Sequence, residues 1–336
     1  LRVLFIGGTG IISSACSQLA VDRGIELYLL NRGETSKRPV PKGAKVLKAN
    51  IRDIESVEKA LDGRRFDVVV DWIAFTPEHI ETDLEVFTDR TDQYIFISSA
   101  SAYHTPPPAL PVTESTSLYN PVWQYSRDKI ACEERLLLAM REEGFPMTIV
   151  RPSHTYDCTL FPMHEQYTAV HRIRQGKKII VHGDGTSLWT LTHHRDFAKG
   201  FVGLLGNPHA IGEAFHITTD EILTWNHIVQ LIAKAAGTEA DIVHVPSEFI
   251  AAFDPEWGES LLGDKAHSMV FDNSKIKRTV PDFKATIPFA RGAEEIINWF
   301  DEDPDRRVVD AEMNLLIDRI IQQYESAWPK KRLPDF

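Results

Sequence analysis

Tyr125 and Lys129 stand four positions apart in Gln124 to Glu143, a stretch whose apolar residues recur at helical spacing. On a helix that spacing sets the phenol and the ammonium on one face. A cation so placed draws the phenol pKa down from ~10, and a tyrosine activated in this way can move a proton to or from a hydroxyl group. A YxxxK pair is common by chance, so its weight depends on its surroundings. Upstream, Tyr94-Ile95-Phe96-Ile97-Ser98-Ser99-Ala100-Ser101 reads as a buried strand that empties into hydroxyl residues. Ligands collect at such strand ends in parallel sheets.

A second constellation opens the chain. Gly7-Gly8-Thr9-Gly10-Ile11-Ile12-Ser13 follows an apolar strand and leads into a helical pattern. Backbone N–H groups and the helix start can then receive a pyrophosphate, with Gly7 and Gly10 giving the tight turn and Ser13 in the third small position. The alternative is a glycine turn that binds nothing. After the second strand comes Asn31-Arg32-Gly33, with no acid to meet an adenosine ribose. Arg32, with Lys37 and Arg38 nearby, suits a 2′-phosphate or is simply a solvated basic loop. NAD and NADP both stay open, with NADP slightly favoured.

These groups need a scaffold. Runs at Val3 to Ile6, Glu26 to Leu30, Lys45 to Ala49, Phe66 to Val70, Tyr94 to Ser98 and Met147 to Val150 read as strands. They alternate with helical patterns at Ile12 to Arg23, Ile54 to Leu61, Pro77 to Asp89 and Gln124 to Glu143. That order predicts an α/β fold, a doubly wound parallel Rossmann sheet over residues 1–150. Residues 151–336 read as a smaller C-terminal α/β substrate lobe, some of whose elements return to the main sheet. Strands are expected at Lys178 to Val181 and Ala214 to Ile217, and helices at Asp196 to Leu205, Trp225 to Ala236, Ala290 to Phe300 and Val309 to Tyr324. The Asp-, Pro- and Trp-rich stretch Phe253 to Gly263 reads as turns.

Bulk properties exclude several classes. The net charge of −11 opposes binding to nucleic-acid phosphates. Cys16, Cys132 and Cys158 lie far apart without a CxxC spacing, against a disulfide framework and in favour of a reducing compartment, with cytoplasm the expectation. No apolar run reaches the ~18 residues of a membrane span. His164, Glu165 and His171 lack the i,i+4 pairing of a helical zinc site, so no metal is expected.

The glycine loop, the strand ending in Ser98-Ser99, Tyr125-Ser126-Arg127-Asp128-Lys129 and Arg151-Pro152-Ser153-His154-Thr155-Tyr156-Asp157 together resemble the extended short-chain dehydrogenase/reductase superfamily, the NAD-dependent epimerases and dehydratases. Asp67-Val68-Val69-Val70-Asp71 and Asn31-Arg32-Gly33 look most like an atypical subgroup, which includes relatives of chloroplast stem-loop RNA-binding proteins. The resemblance implies a catalytic set of Tyr125, Lys129 and Ser99, with Lys129 also holding the nicotinamide ribose. It implies cofactor contacts at Gly7, Thr9, Gly10, Ile11 and Ile12, at Asn31 and Arg32, at Asn50 and Ile51, at Ile73 and Ala74, at Ser98, and at Pro152 and His154. Substrate contacts are implied at Ser99, Ser101, Tyr125, His154 and Trp189.

Departures from the family pattern narrow the chemistry. Where its sugar dehydratases have an Asp-Glu pair after the catalytic hydroxyl residue, this chain has Ala100 and Ser101, which disfavours water loss by that route. Trp189 stands where the family's pyrophosphate-clamping arginine falls, and is either a wall of the substrate site or core. His154 is either an acid/base partner or structural. The expected function is an NAD(P)-dependent epimerase or oxidoreductase acting on a secondary hydroxyl or ketone of a sugar, nucleotide sugar or nucleoside. The alternative is a non-catalytic dinucleotide-binding protein with an RNA-binding or redox-sensing role. A homodimer through Pro77 to Asp89 and Gln124 to Glu143 is expected from relatives.

Overall fold

The computed structural model describes residues 1–33 and 38–328. Lys37 therefore lies outside the described residues. The chain divides into two compact units. One comprises Leu1–Asp157, Thr190–Ile222 and Met269–Pro288; the other comprises Cys158–Trp189, Leu223–Ser268 and the chain from Phe289 onward.

The first unit is built on a seven-stranded sheet. Its strands are β1 (Arg2–Ile6), β2 (Glu26–Asn31), β3 (Lys45–Lys48), β4 (Phe66–Asp71), β5 (Thr91–Ile97), β6 (Met147–Pro152) and Ala214–Ile217. From one edge the order is Ala214–Ile217, β6, β5, β4, β1, β2, β3, and every pairing is parallel. Helices α1 (Ile11–Asp22), α2 (Ile54–Leu61), α3 (Pro77–Phe87) and α4 (Gln124–Glu143) make the crossovers.

Alternation along the strands explains the two covered faces. Val3, Phe5, Leu27, Leu29, Val68, Val70, Ile95 and Ile97 pack against α1 and the helix His194–Val202. Leu4, Ile6, Tyr28, Leu30, Val69, Tyr94 and Phe96 pack against α2, α3 and α4. Strands buried on both faces become continuous β-branched and aromatic runs, as their sequences show. The strand order reverses between β1 and β4, and a crevice opens there at the carboxyl ends.

The second unit has its own core of Ile180, Val245, Ile250, Trp257, Leu261, Ile317, Ile320 and Ile321. Arg172, 1% exposed, ties it together by donating to the carbonyl of Lys178 and to Asn314 and Asp318. The stretch read as turns between Phe253 and Gly263 is instead helical over Pro255–Ser260 and Leu261–Lys265. Asp254 is the reason: its carboxylate accepts from the Trp257 N–H and Pro255 follows, so Asp-Pro starts a helix where a turn was expected.

Candidate active site

The crevice is assembled from strand ends. After β1 the chain turns through Gly7 and Gly8, at φ +98° and +96°, which side chains rarely adopt. A Cβ on Gly8 would sit 2.6 Å from Leu29 Cδ2, so this glycine is required by packing as well as by conformation. Ser13 Oγ accepts from the Gly10 N–H at 2.8 Å, and Ser17 Oγ donates to the Gly8 carbonyl at 2.8 Å. The serine in the third small position thus closes the turn. α1 starts here with Gly10 exposed and Thr9, Ile11 and Ile12 half-buried, and the first N–H groups of a helix have no acceptor within it.

β2 delivers Asn31, half-buried, and Arg32, exposed. Arg38 is held by Asp157 at 2.7 Å, so it is committed to a carboxylate within the fold. Asn50 is exposed beyond β3 and Ile51 is buried beside it. Past β4, Ile73 is 39% exposed, whereas Ala74 is fully buried.

Lys129 is 2% exposed. Its Nζ donates to the carbonyls of Ala74 at 2.6 Å and Ile97 at 2.8 Å, bridging the ends of β4 and β5. The ammonium also lies 4.6 Å from the Phe75 ring centroid, 4.8 Å from Phe96 and 5.9 Å from Tyr125. Burial lowers its pKa to about 8, against the opposing pull of nearby Cys132, Asp71 and Glu133. Tyr125 is half-buried one turn earlier on α4, its ring 5.1 Å from that of Trp123.

A chain of hydroxyls links the end of β5 to α4. Ser126 Oγ donates to Ser101 Oγ at 2.8 Å, and Ser101 Oγ is in turn 2.8 Å from Ser99 Oγ. Ser99 is half-buried just past the end of β5, whereas Ser101 is 4% exposed and links strand end to helix. Ser98 Oγ is buried without a hydrogen-bond partner among the described residues.

Two supporting residues escaped the sequence reading. Asn120 accepts from the N–H groups of Val122 and Trp123 and donates to the Ser101 carbonyl, fixing the entry to α4. Glu133, one turn beyond Lys129, takes the Arg151 guanidinium from β6, with Nε at 2.9 Å and both side chains buried. Asn before an apolar helix is a turn cue that could have flagged the first. The Glu133–Arg151 pairing had no local signal.

Pro152 is buried at the end of β6, and His154 is half-buried in the strand His154–Tyr156 that follows. His193 caps the helix His194–Val202 by accepting from the Arg195 N–H. In the second unit Trp189 is 4% exposed, with its ring 5.5 Å from that of Trp225. Among the described residues no group of three or more His, Cys, Asp or Glu side chains could hold a metal ion, and no helix is long and apolar enough to cross a membrane.

Comparison with known proteins agrees with this architecture. A chloroplast stem-loop binding protein of 41 kDa from Arabidopsis thaliana is 31% identical over 266 residues, covering 74% of this chain and 67% of that protein. A UDP-glucose 4-epimerase from Lactobacillus helveticus is 29% identical over 168 residues, 45% of this chain and 51% of that enzyme. Among solved structures, the UDP-glucose 4-epimerase of Bifidobacterium longum, in complex with NAD+ and UDP, superposes with a TM-score of 0.73 at 19% identity, over 91% of this chain and all of that one. The model of the NAD dependent epimerase/dehydratase family matches residues 3–218, well over half of the sequence, and the chain belongs to that family.

Proposed function

We propose that the protein is a nicotinamide-dinucleotide-dependent epimerase or oxidoreductase that acts on a secondary hydroxyl or ketone of a sugar-like substrate. The observation that carries this reading is the convergence, at one end of the sheet, of a glycine loop, the buried ammonium of Lys129, the Tyr125 phenol and the Ser99 hydroxyl.

The residues present fit a dinucleotide. Gly8 packs directly on Leu29 and so holds the loop tight against β2 ahead of the helix start that would receive a pyrophosphate, and the buried Ser98 hydroxyl has no hydrogen-bond partner among the described residues. The loop from Gly7 to Ile12 would hold the diphosphate, Asn31, Arg32, Asn50 and Ile51 the adenosine end, and Ile73, Ala74, Ser98, Lys129, Pro152 and His154 the nicotinamide end. Arg38 is paired to Asp157, which takes it out of the set that could meet a 2′-phosphate. The bound cofactor supplies hydride exchange at its nicotinamide ring.

The chain's own groups handle the proton. Tyr125, its phenolate favoured by the Lys129 charge, takes the substrate hydroxyl proton or returns one to a ketone. Ser99 hydrogen-bonds the same substrate oxygen and orients it. Trp123, tilted against Tyr125, offers a flat apolar face of the kind that sugar rings use.

The relative named for stem-loop binding raises an RNA-binding role for this chain. The net charge of −11 opposes it.

The test is calorimetry with NAD+ and NADP+, followed by nicotinamide absorbance during turnover on a panel of sugars, nucleotide sugars and nucleosides. Tyr125→Phe is expected to bind cofactor as the parent does while losing turnover by about 10²- to 10⁴-fold. Full turnover in that variant would refute the mechanism, and failure of the parent to bind either dinucleotide would refute the reading.

A further inference from the structure

Beneath the crevice lies a pair of acids that the reaction does not call on. Asp71, the last residue of β4, and Asp83, on α3, are both fully buried. Asp71 Oδ1 accepts from the Ile73 N–H, and Asp83 Oδ2 accepts from the Tyr94 phenol at 2.6 Å. Their other oxygens, Asp71 Oδ2 and Asp83 Oδ1, have no donor among the described residues. Both orphan oxygens lie within 4 Å of one and the same guanidinium, that of Arg52, which sets the two carboxyl groups side by side, in accord with the upward push that Asp71 exerts on Asp83.

Arg52 does not fill the gap. Its guanidinium stands 3.9 Å from Asp71 and 3.8 Å from Asp83, while its hydrogens go to the carbonyls of Ile73 and His79. Two facing carboxylates with no donor between them, shielded from water, would repel strongly. One proton between the orphan oxygens removes that repulsion and satisfies both atoms at once.

We infer that Asp71 and Asp83 share a single proton, and that the pair positions the segment Trp72–Phe75 and keeps a negative charge beneath the Lys129 ammonium. Asp83 carries the proton on Oδ1 and donates it to Asp71 Oδ2, and Asp71 keeps the charge. Burial, followed by the charge of Asp71, holds Asp83 well above the usual carboxylate range, in accord with that arrangement. The groups facing the pair are Arg52 ahead of α2, His79 on α3, Tyr94 on β5 and Lys129 on α4.

The consequence reaches the crevice through two links. Asp71 receives the Ile73 N–H while Arg52 donates to the Ile73 carbonyl, so the peptide groups around Ile73 are held from both sides. The next carbonyl, that of Ala74, is the one that accepts from Lys129. Both acids are therefore positioning residues. Their effect on catalysis rests on the proposed role of Lys129, while the shared proton stands independently of it.

The experiment uses the full chain. Infrared spectra at mildly alkaline pH, where the other buried acids Glu165 (about 7) and Asp264 (about 6) are ionised, should show a protonated-carboxyl C=O band. Asp83→Asn should abolish this band. Tyr94→Phe, which removes the hydrogen bond to the Asp83 carbonyl oxygen, should move it to higher frequency.

NMR titration of the lysine amines, with Lys129 assigned through Lys129→Met, gives the second reading. Asp71→Asn should lower the Lys129 pKa by about one unit and weaken NAD+ binding by about tenfold. Asp83→Asn, which replaces the protonated acid by an amide of the same shape, should leave both as they were. A spectrum without an Asp83-dependent band would overturn the inference, as would an unmoved Lys129 titration in Asp71→Asn. Lack of NAD+ binding by the parent would strike the proposed function and leave the shared proton to be judged by the infrared band.

Discussion

The Lys129 ammonium donates to the carbonyl oxygen of Ala74 at 2.6 Å, so a helix and the loop after β4 are locked together through a buried charge. That charge is costly to bury, which is why its pKa falls to about 8. The ammonium is present below that value and is lost above it, so activity that depends on it should fall as pH rises through about 8.

Stability should move in the opposite direction. Between about 8 and the ordinary lysine value of 10.5 the unfolded chain holds a proton that the fold releases, so the free energy of unfolding rises with pH across that window. Lys129→Met should flatten the rise, whose upper size is about 3 kcal/mol. Urea denaturation of both proteins across the window checks it.

Gly8→Ala combines an unfavourable φ with a Cβ 2.6 Å from Leu29 Cδ2. A loss of about 2–4 kcal/mol is expected, together with loss of NAD+ affinity by calorimetry. Gly24→Ala is the control. Its φ of +75° is also left-handed, but open space surrounds it, so the loss should be only about 1 kcal/mol with dinucleotide affinity unchanged.

Glu133→Ala leaves the buried Arg151 guanidinium without its carboxylate and should cost about 3–5 kcal/mol in chemical denaturation. Replacing both partners, as Glu133→Leu with Arg151→Met, should recover most of that. An equal loss in single and double variants would show that packing at these sites, and not the unpaired charge, dominates.

Glu165 is 3% exposed, and burial raises its pKa to about 7. Between the ordinary 4.5 and about 7 the fold keeps a proton that the unfolded chain has released, so this group's contribution fades as pH rises through that window. Glu165→Gln should match the parent under acid conditions and exceed it by up to about 3 kcal/mol above neutrality. Thermal melts at acid and alkaline pH distinguish the two.

The sheet was legible because its inner strands are buried on both faces and so carry near-continuous apolar runs, while the crossover helices repeat with helical period. The glycine loop and the Tyr125–Lys129 pair were legible because each is encoded within a few residues. What was not legible is the support beneath them. Glu133 finds Arg151, Asp83 finds Tyr94, and Arg38 finds Asp157 across stretches of sequence that carry no local sign of the contact. Arg38 shows the cost: its charge suggested a phosphate, while its actual partner lies 119 residues away. Asp254-Pro255 misled for a different reason, since the same dipeptide serves a turn and a helix start, and only the Trp257 N–H distinguishes them.

The hydroxyl chain of Ser126, Ser101 and Ser99 has a consequence for direction. Between Ser101 and Ser99 either oxygen can donate. Rotating those two O–H bonds turns Ser99 from a donor towards a ketone into an acceptor from an alcohol, without moving a heavy atom. In the proposed reaction the same resting framework would therefore serve oxidation and reduction alike. Such symmetry suits a catalyst that must take a hydrogen from one face of a carbon and return it to the other.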